Sequence, residues 1–272
     1  MISPAIGLVS GITIKEGLRN RAMHGIFAIA LLLCLVYITI IPMFAFDTGK
    51  VAVDLGFAFV TLAGLAIVIF LGIALLTADI HQRTVCMILS RPVSRTDYVV
   101  GKYCGLAVTV LLAVLVIALL TIFTSWLGIR LIPEMQLPRN FSWGIMGVGF
   151  LFQYFSLLIL MAVSFFFACL TTSEYLSMLF TIGIYVIGNS LETIIEVIKA
   201  GQFVQVGPAY LGMLKVVAWI FPNFSAFDLK VYLAYGLPLP WNQVIWTAGY
   251  GIAYISLIAV ATLWIFKRKE IS

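Results

Sequence analysis

Residues 103–129 read YCGLAVTVLLAVLVIALLTIFTSWLGI, a run of 27 residues without a single charged side chain. An α-helix rises about 1.5 Å per residue, so roughly 20 apolar residues in a helix cross the hydrocarbon core of a bilayer. The run exceeds that length and shows no alternation of polar and apolar residues with a period of two. It therefore predicts a membrane-spanning helix rather than a strand of a transmembrane barrel.

The composition of the whole chain agrees with this interpretation. Of its 272 residues, 63% are hydrophobic and only 10% are charged, whereas an ordinary soluble domain is about 45–50% apolar and about 25% charged. So few charges cannot cover a water-facing surface of this size. The composition excludes a soluble enzyme, a disordered regulator, a coiled coil and a disulfide-framed secreted domain, and it indicates an all-α integral membrane protein.

Counting runs without Asp, Glu, Lys or Arg predicts six spans in a single transmembrane domain covering residues 1–272. The predicted spans are residues 23–45, 56–78, 103–127, 144–170, 174–191 and 241–266. The exterior segment 200–230 is also apolar, but Gly207, Pro208, Lys215 and Pro222 interrupt or close its core. The part from Pro208 to Phe221 is about 14 residues, which suits re-entrant helices better than a crossing. Seven spans is the alternative.

Positive charges orient the chain, because Lys and Arg concentrate in cytoplasmic loops. With six spans, ten of the 16 basic residues lie on the side that holds both termini, and six lie on the other side. We expect a multi-pass protein of the inner membrane with both termini in the cytoplasm. The net charge of +5 then reflects membrane orientation rather than binding of nucleic acid. Seven spans would place Lys267, Arg268 and Lys269 outside, which the rule disfavours.

Two polar segments lie on the predicted cytoplasmic side. Residues 5–21 predict an amphipathic helix in the membrane interface, with Leu8, Val9 and Ile12 on one side. Its polar end consists of Lys15, Glu16, Arg19 and Arg21.

The second polar segment is the loop 79–102, between the second and third spans. Pro92 ends a short helix in its first half. Ser94 is placed to cap the next helix, which carries Asp97 in its first turn. From the residues alone, an ordinary positively charged loop is the alternative to a binding surface.

The run Leu89-Ser90-Arg91-Pro92-Val93-Ser94-Arg95, followed by Tyr98, Gly101 and Lys102, resembles the cytoplasmic loop of ABC-2-type transporter permease subunits. The branch it most resembles includes the permease for nitrous-oxide-reductase maturation and the gliding-associated permeases. The basic helix ending Lys15-Glu16-Gly17-Leu18-Arg19, the six spans and the late Phe221-Pro222-Asn223-Phe224-Ser225-Ala226-Phe227-Asp228 agree, so the resemblance covers nearly the whole chain. Two positions depart from the family pattern: Asp79 stands for the usual Glu, and Arg83 replaces the Gly before Thr84.

The resemblance implies a mechanism. The loop would act as a coupling helix seated in a separate ABC ATPase, and two permeases with two ATPases would form an exporter. The residues implied in ATPase docking are Asp79, Arg83, Met87, Leu89, Arg91, Arg95 and Asp97. The segment between the last two spans would form exterior re-entrant helices, marked by Pro208, Lys215 and Pro222. A mechanotransmitter or scaffold that acts on an exterior accessory protein is the alternative, and a secondary transporter is a weaker one.

Motifs for catalysis are absent from the sequence. There is no Gly-x-x-x-x-Gly-Lys-Ser/Thr run, so we expect ATP and Mg²⁺ on the partner subunit and no cofactor or catalytic residue in this chain. The two histidines, His24 and His81, do not form a His-Glu-x-x-His motif, and no metal site is expected.

Two further expectations concern the spans themselves. We expect every Asp and Glu to lie at or outside a span end, which disfavours proton coupling. We also expect Gly101 and Gly105, together with Gly144, Gly147 and Gly149, to permit close helix packing.

Overall fold

A computed structural model describes residues 4–41, 48–81, 94–131, 141–171, 173–199, 212–213, 216–218 and 220–268. Every regular element in these ranges is helical. Five helices are long and apolar enough to cross a membrane, and a bent pair of N-terminal helices makes six if it is counted as one span. The protein is therefore an all-helical, multi-pass membrane protein.

The described helices follow the order of the predicted spans. They are α1 (Pro4–Arg19), α2 (Arg21–Ile40), α3 (Thr48–Ala66), α4 (Ile73–His81), α5 (Arg95–Leu131), α6 (Trp143–Leu170), α7 (Glu174–Lys199), α8 (Lys230–Ala234) and α9 (Trp241–Arg268). A π-helical turn, Ile67–Gly72, joins α3 to α4, so that these elements form one span. A 3₁₀ turn at Ser225–Phe227 precedes α8.

Asn20 separates the predicted interface helix from the first predicted span. Its backbone is extended, and its side-chain oxygen accepts the N–H of Ala22 at 2.9 Å, so that it caps α2. The axes of α1 and α2 differ by 55° across this residue. An N-cap thus marks the boundary between the two segments that the sequence distinguishes.

Two helices contain charges that the sequence analysis places at or beyond span ends. The helix of the second span begins at Thr48, before the predicted span start at 56, and includes Asp54, while α7 continues to Lys199 and includes Glu192. These are the bounds of helices and not of the membrane, so the expectation that every acidic residue lies at or outside a span end stays a prediction. The two helices can contain these charged residues because polar or oppositely charged side chains lie close to each carboxylate. Glu192 accepts a hydrogen bond from Asn223, and Lys230 lies close enough to attract Asp54.

The centre of the bundle consists of the α3–α4 span, α5 and α6. In their apolar windows 61%, 44% and 67% of residues are buried, against 17% in α7 and α9. Phe57 of α3 stacks on Phe150 of α6 with ring centroids 4.7 Å apart. The helices α7 and α9 therefore lie at the periphery, with most of their apolar surface free for lipid or protein.

Different elements and side chains meet at the two ends of the bundle. At the termini end, the start of α5 meets α1 and the last turn of α9, where Tyr98 stacks on Phe266 at 6.2 Å. At the far end, the Tyr37 hydroxyl is 2.9 Å from the Ser125 hydroxyl, and Lys50 donates to the Tyr235 hydroxyl at 2.6 Å. Both predicted polar segments flank the termini end.

Candidate functional site

The predicted docking residues lie around the connection between α4 and α5. The structure describes the side chains of Arg95 and Asp97, and it places the backbone of Asp79 in α4. Arg83, Met87, Leu89 and Arg91 lie outside the described residues. The geometry of this site therefore comes from its two flanks, α4 and the first turns of α5.

Ser94 begins the flank on the α5 side. Its hydroxyl oxygen accepts the N–H of Asp97 at 3.0 Å, and its carbonyl accepts the N–H of Tyr98 at 3.1 Å. This is the N-cap that the sequence predicts, with an acidic residue in the first turn where the helix dipole favours it. The prediction that this helix starts at the Ser94 cap is confirmed: α5 begins at Arg95 and continues into the predicted third span, 103–127.

Arg95 connects the start of α5 to the end of α9. Its guanidinium Nη1 donates to the carbonyl oxygen of Lys267 at 3.3 Å. The last carbonyls of a helix have no partner within the helix, and a basic side chain is a favourable donor to them. Arg95 thus has a bond within the chain, in addition to the docking role that the family resemblance implies for it.

The start of α5 is also covered closely by α1. A Cβ atom added to Gly101 would lie 2.8 Å from the Cβ of Val9, and one added to Gly105 would lie 2.8 Å from the carbonyl oxygen of Ser10. Real Cβ atoms do not approach so closely, so both glycines are needed for the contact. The packing role predicted for Gly101 and Gly105 is confirmed.

Successive contacts between α1 and α5 follow the same order along both helices, from the N-terminal to the C-terminal side. Gly17 of α1 meets Thr109 of α5, two turns beyond Val9 and Gly101. The two helices therefore run parallel at this crossing.

Of the three glycines of α6 for which close packing is predicted, Gly149 lies against Phe57 and Leu233. A Cβ atom added to Gly147 would meet nothing within 4 Å, and one added to Gly144 would meet only Ser142 of its own segment.

The orientation of α1 differs in detail from the expected amphipathic helix. Val9 is buried against α5, while Leu8 and Ile12 are 70% and 63% exposed. The three residues therefore do not share one environment. The reason is that α5 offers a glycine surface, which accepts the face of α1 that carries Val9, Thr13 and Gly17.

An ion pair that the sequence analysis did not identify lies at the same crossing. The ammonium of Lys102 is 3.6 Å from a carboxylate oxygen of Glu16, and the Lys102 side chain is only 3% exposed. Buried charges require such compensation. Lys102 is the last charged residue before the 27-residue apolar run. That position is the one feature of the sequence that could have indicated a buried, paired lysine.

At the far end, the predicted exterior segment is described at residues 212–213 and 216–218 and continuously from Ile220 onward. Pro222 is buried, and its carbonyl oxygen lies against Gly188 of α7 so closely that a Cβ there would clash. Pro208 and Lys215 lie outside the described residues. The Pro222 region therefore packs on the bundle itself.

Asn223 connects three parts of the far end. Its side-chain nitrogen donates to Glu192 of α7 at 2.9 Å, and its backbone N–H donates to the hydroxyl of Tyr250 in α9 at 3.0 Å. Its side-chain oxygen accepts the N–H of Ala226 at 3.1 Å. In the sequence, Asn223 stands out only within the segment from Phe221 to Asp228 that resembles the family, and this role was not predicted. A turn-forming asparagine after a proline was the available signal.

Comparison of the chain with protein-family models and with curated proteins found no match. The functional interpretation therefore rests on the residues and on the geometry of the two ends.

Proposed function

We propose that this chain is the membrane permease subunit of an ABC-2-type exporter, driven by a separate ATPase that docks on the loop between α4 and α5. The observation that carries the proposal is the set of contacts at the start of α5. Arg95 bonds to the end of α9, and Gly101, Lys102 and Gly105 hold α1. The helix that follows the loop is thus fixed to two others immediately after it begins.

These contacts make the loop a suitable point for mechanical input. A force on the loop would move α5 together with α1 and α9 rather than bend the loop alone. The helix α5 has 37 residues and is about 55 Å long, so it carries a displacement from the termini end to the far end. There its Ser125 hydroxyl bonds to Tyr37 of α2.

The proposal includes a second copy of the chain and two ATPase subunits. The peripheral helices α7 and α9 leave large apolar side chains exposed, among them Leu179, Trp246 and Leu257. Such surfaces suit contact with lipid and with a second permease. ATP and Mg²⁺ would bind to the ATPase, and this chain would supply the path across the membrane.

Charge reversal in the loop tests docking. We would purify the chain with a P-loop ATPase encoded near it and compare the wild type with the double variant Arg83→Glu/Arg91→Glu. The variant is expected to lose co-purification and stimulation of ATP hydrolysis. The family resemblance implies that these arginines dock against acidic residues of the ATPase, which the introduced carboxylates would repel. Arg95 is left unchanged because its bond to the Lys267 carbonyl would add a structural effect.

The matched control is Arg130→Glu, which reverses an exposed arginine at the far end of α5. It should retain both co-purification and stimulation. If the double variant also retains both, the docking surface is assigned wrongly.

Transport is tested separately, with the complex in sealed vesicles and a panel of fluorescent lipids and hydrophobic dyes. ATP-dependent movement of one of them out of the compartment that holds the ATPase is the expected result. ATP hydrolysis that depends on an exterior protein, with no compound moved, would instead identify a mechanotransmitter.

A further inference from the structure

A cavity of about 250 Å³ lies within one copy of the chain, among α3, α6 and α7. Asp228 and Lys230 line it toward the far end, and Gln153 and Ser156 line it deeper in the bundle. Gln153 is ten residues from the start of α6, or roughly 15 Å along the helix. Ala58 and Leu62 of α3, which also line it, are exposed. The cavity therefore opens sideways onto the apolar surface of the bundle.

Gln153 and Ser156 are buried polar residues whose side chains make no hydrogen bond with the part of the chain that the structure describes. They are 8% and 5% exposed and lie three residues apart, on the same face of α6. Ser164 of the same helix behaves differently, since its hydroxyl donates to the Met161 carbonyl at 2.8 Å.

The same contrast holds elsewhere in the spans. The hydroxyls of Thr109 and Thr121 donate to the carbonyls four residues before them, at 3.0 and 2.9 Å. Buried polar groups in proteins are nearly always hydrogen-bonded. No buried side-chain polar atom among the described residues is enclosed without a partner, so the amide and the hydroxyl of these two residues are reachable from the cavity. They are available to an occupant.

The charges around the cavity select the kind of occupant. Asp228 and Lys230 form an ion pair with an N–O distance of 2.7 Å and so compensate each other. The remaining polar side chains that line the cavity, which include Tyr185 and Asn189, are neutral hydrogen-bonding groups. A ligand with a net charge would find no counter-ion there, whereas a neutral hydroxylated group would find several partners.

The α3 side of the cavity is mainly apolar, since Phe57, Leu62 and Leu65 line it. Thr61 also lines it, but its hydroxyl donates to the Phe57 carbonyl at 2.8 Å. A molecule that fits both walls has a small hydrogen-bonding head and an apolar tail. Because the cavity opens beside the exposed Leu62, the tail can continue into the surrounding lipid.

We propose that this cavity binds the neutral, hydroxylated head of a membrane amphiphile. The head bonds to Gln153 and Ser156, and the tail leaves past Leu62. This inference concerns a binding site within a single chain and does not depend on the exporter proposal.

Three probes with the same eighteen-carbon tail test the inference: monoolein, which has a neutral glycerol head, oleic acid and oleylamine. Binding to the purified chain is measured by native mass spectrometry after titration of each probe. Monoolein is expected to bind the wild type at least tenfold more tightly than the two charged probes. Free glycerol is expected to bind negligibly, because it lacks the tail.

Two variants locate the site. Gln153→Leu/Ser156→Ala removes both hydrogen-bonding groups and is expected to weaken monoolein binding roughly tenfold to thirtyfold. Ala58→Phe narrows the exposed mouth, leaves the buried groups in place and is expected to reduce binding similarly. Ser164→Ala, which removes a hydroxyl already bonded within α6, is the matched control and should bind like the wild type.

Two results would overturn the inference. One is equal binding of all three eighteen-carbon probes, which would indicate attachment through the tail alone. The other is unchanged monoolein affinity in both cavity variants. Binding is compared only for variants whose thermal unfolding midpoint is within a few degrees of that of the wild type. If the double variant does not fold, Ala58→Phe alone tests the site.

Discussion

Asn223 holds together parts of the chain that are far apart in sequence. Its partners are Glu192 in α7, Tyr250 in α9 and the nearby N–H of Ala226. Two of these three bonds use the side chain, so they are open to mutation. The other, from the backbone N–H, persists in any variant other than proline.

Asn223→Ala is expected to lower the free energy of unfolding by about 1–2 kcal/mol. The variant loses both side-chain hydrogen bonds and leaves the Glu192 carboxylate without its amide donor. Thermal unfolding in detergent, followed by circular dichroism, should show a midpoint lower by roughly 3–6 °C.

Gln243→Ala is the control for Asn223→Ala. It removes an exposed amide at the same end of the bundle, so its midpoint should stay within about 1 °C of the wild type. Equal midpoints for the two variants would show that the Asn223 side chain does not hold the far end together.

At the scale of elements, the crossing of α1 and α5 depends on close approach of two backbones. A methyl group on Gly105 would meet the Ser10 carbonyl and the Thr13 Cβ at 2.8 and 2.7 Å. Backbone atoms cannot move aside as a flexible side-chain end can. The helices must therefore separate if this glycine is replaced.

Gly105→Ala is expected to destabilise the protein by about 1–3 kcal/mol because it overpacks the crossing. It should also expose α1, so limited proteolysis is expected to cut near residues 15–19 faster than in the wild type. Gly147→Ala is the matched control on α6, where nothing lies within 4 Å of the added methyl group.

The control should be neutral, or more stable by about 0.5–1 kcal/mol because alanine favours the helix. If the two alanine variants have the same stability and the same cleavage rate, α1 does not pack on α5 in this way.

That the chain crosses the membrane several times was predictable, because runs without charge are a direct consequence of the bilayer as solvent. Six spans were predicted, and the structure has five helices of sufficient length and apolarity, or six if the bent N-terminal pair counts as one span. The residues at which the helices begin and end were less predictable from the sequence. The sequence places the starts of the second and third spans at 56 and 103, but the helices begin at Thr48 and Arg95. The start of α5 follows the predicted Ser94 cap, whereas Asp54 was taken to lie outside the second span and is contained in α3.

In the candidate site, too, some contacts could be predicted from the sequence and others could not. Ser94 was predictable as a cap because the capping bond joins residues three apart in sequence. The bond from Arg95 to the Lys267 carbonyl joins residues 172 apart, and no local pattern indicates it. The pairing of Lys102 with Glu16 depends equally on how α1 crosses α5, which only the fold determines.

At the scale of the whole molecule, the fold brings the described ends of the chain to the same end of the bundle. Single cysteines at Arg19, Arg268 and Leu237, in a background without the native cysteines, test this topology. With a membrane-impermeant maleimide, Leu237→Cys is expected to react in intact cells. Arg19→Cys and Arg268→Cys should react only after permeabilisation, because positive charge favours the cytoplasmic side.

Opposite labelling of Arg19→Cys and Arg268→Cys would contradict the six-span topology and indicate an odd number of spans. Labelling of both in intact cells, with Leu237→Cys protected, would keep six spans but invert the protein. The control is each variant after permeabilisation, when all three should react.

The crossing of α1 and α5 also constrains the order of biosynthesis. Thr13 and Gly105 are in contact but about 90 residues apart in the chain. At a translation rate of about 5–20 residues per second, α1 waits roughly 5–20 s for its partner to be made. During that interval the two spans that precede α5 must enter the membrane, while α1 has no α5 to cover Val9. A delay in membrane insertion of α5 would therefore lengthen the exposure of the N-terminal helix to proteases and chaperones.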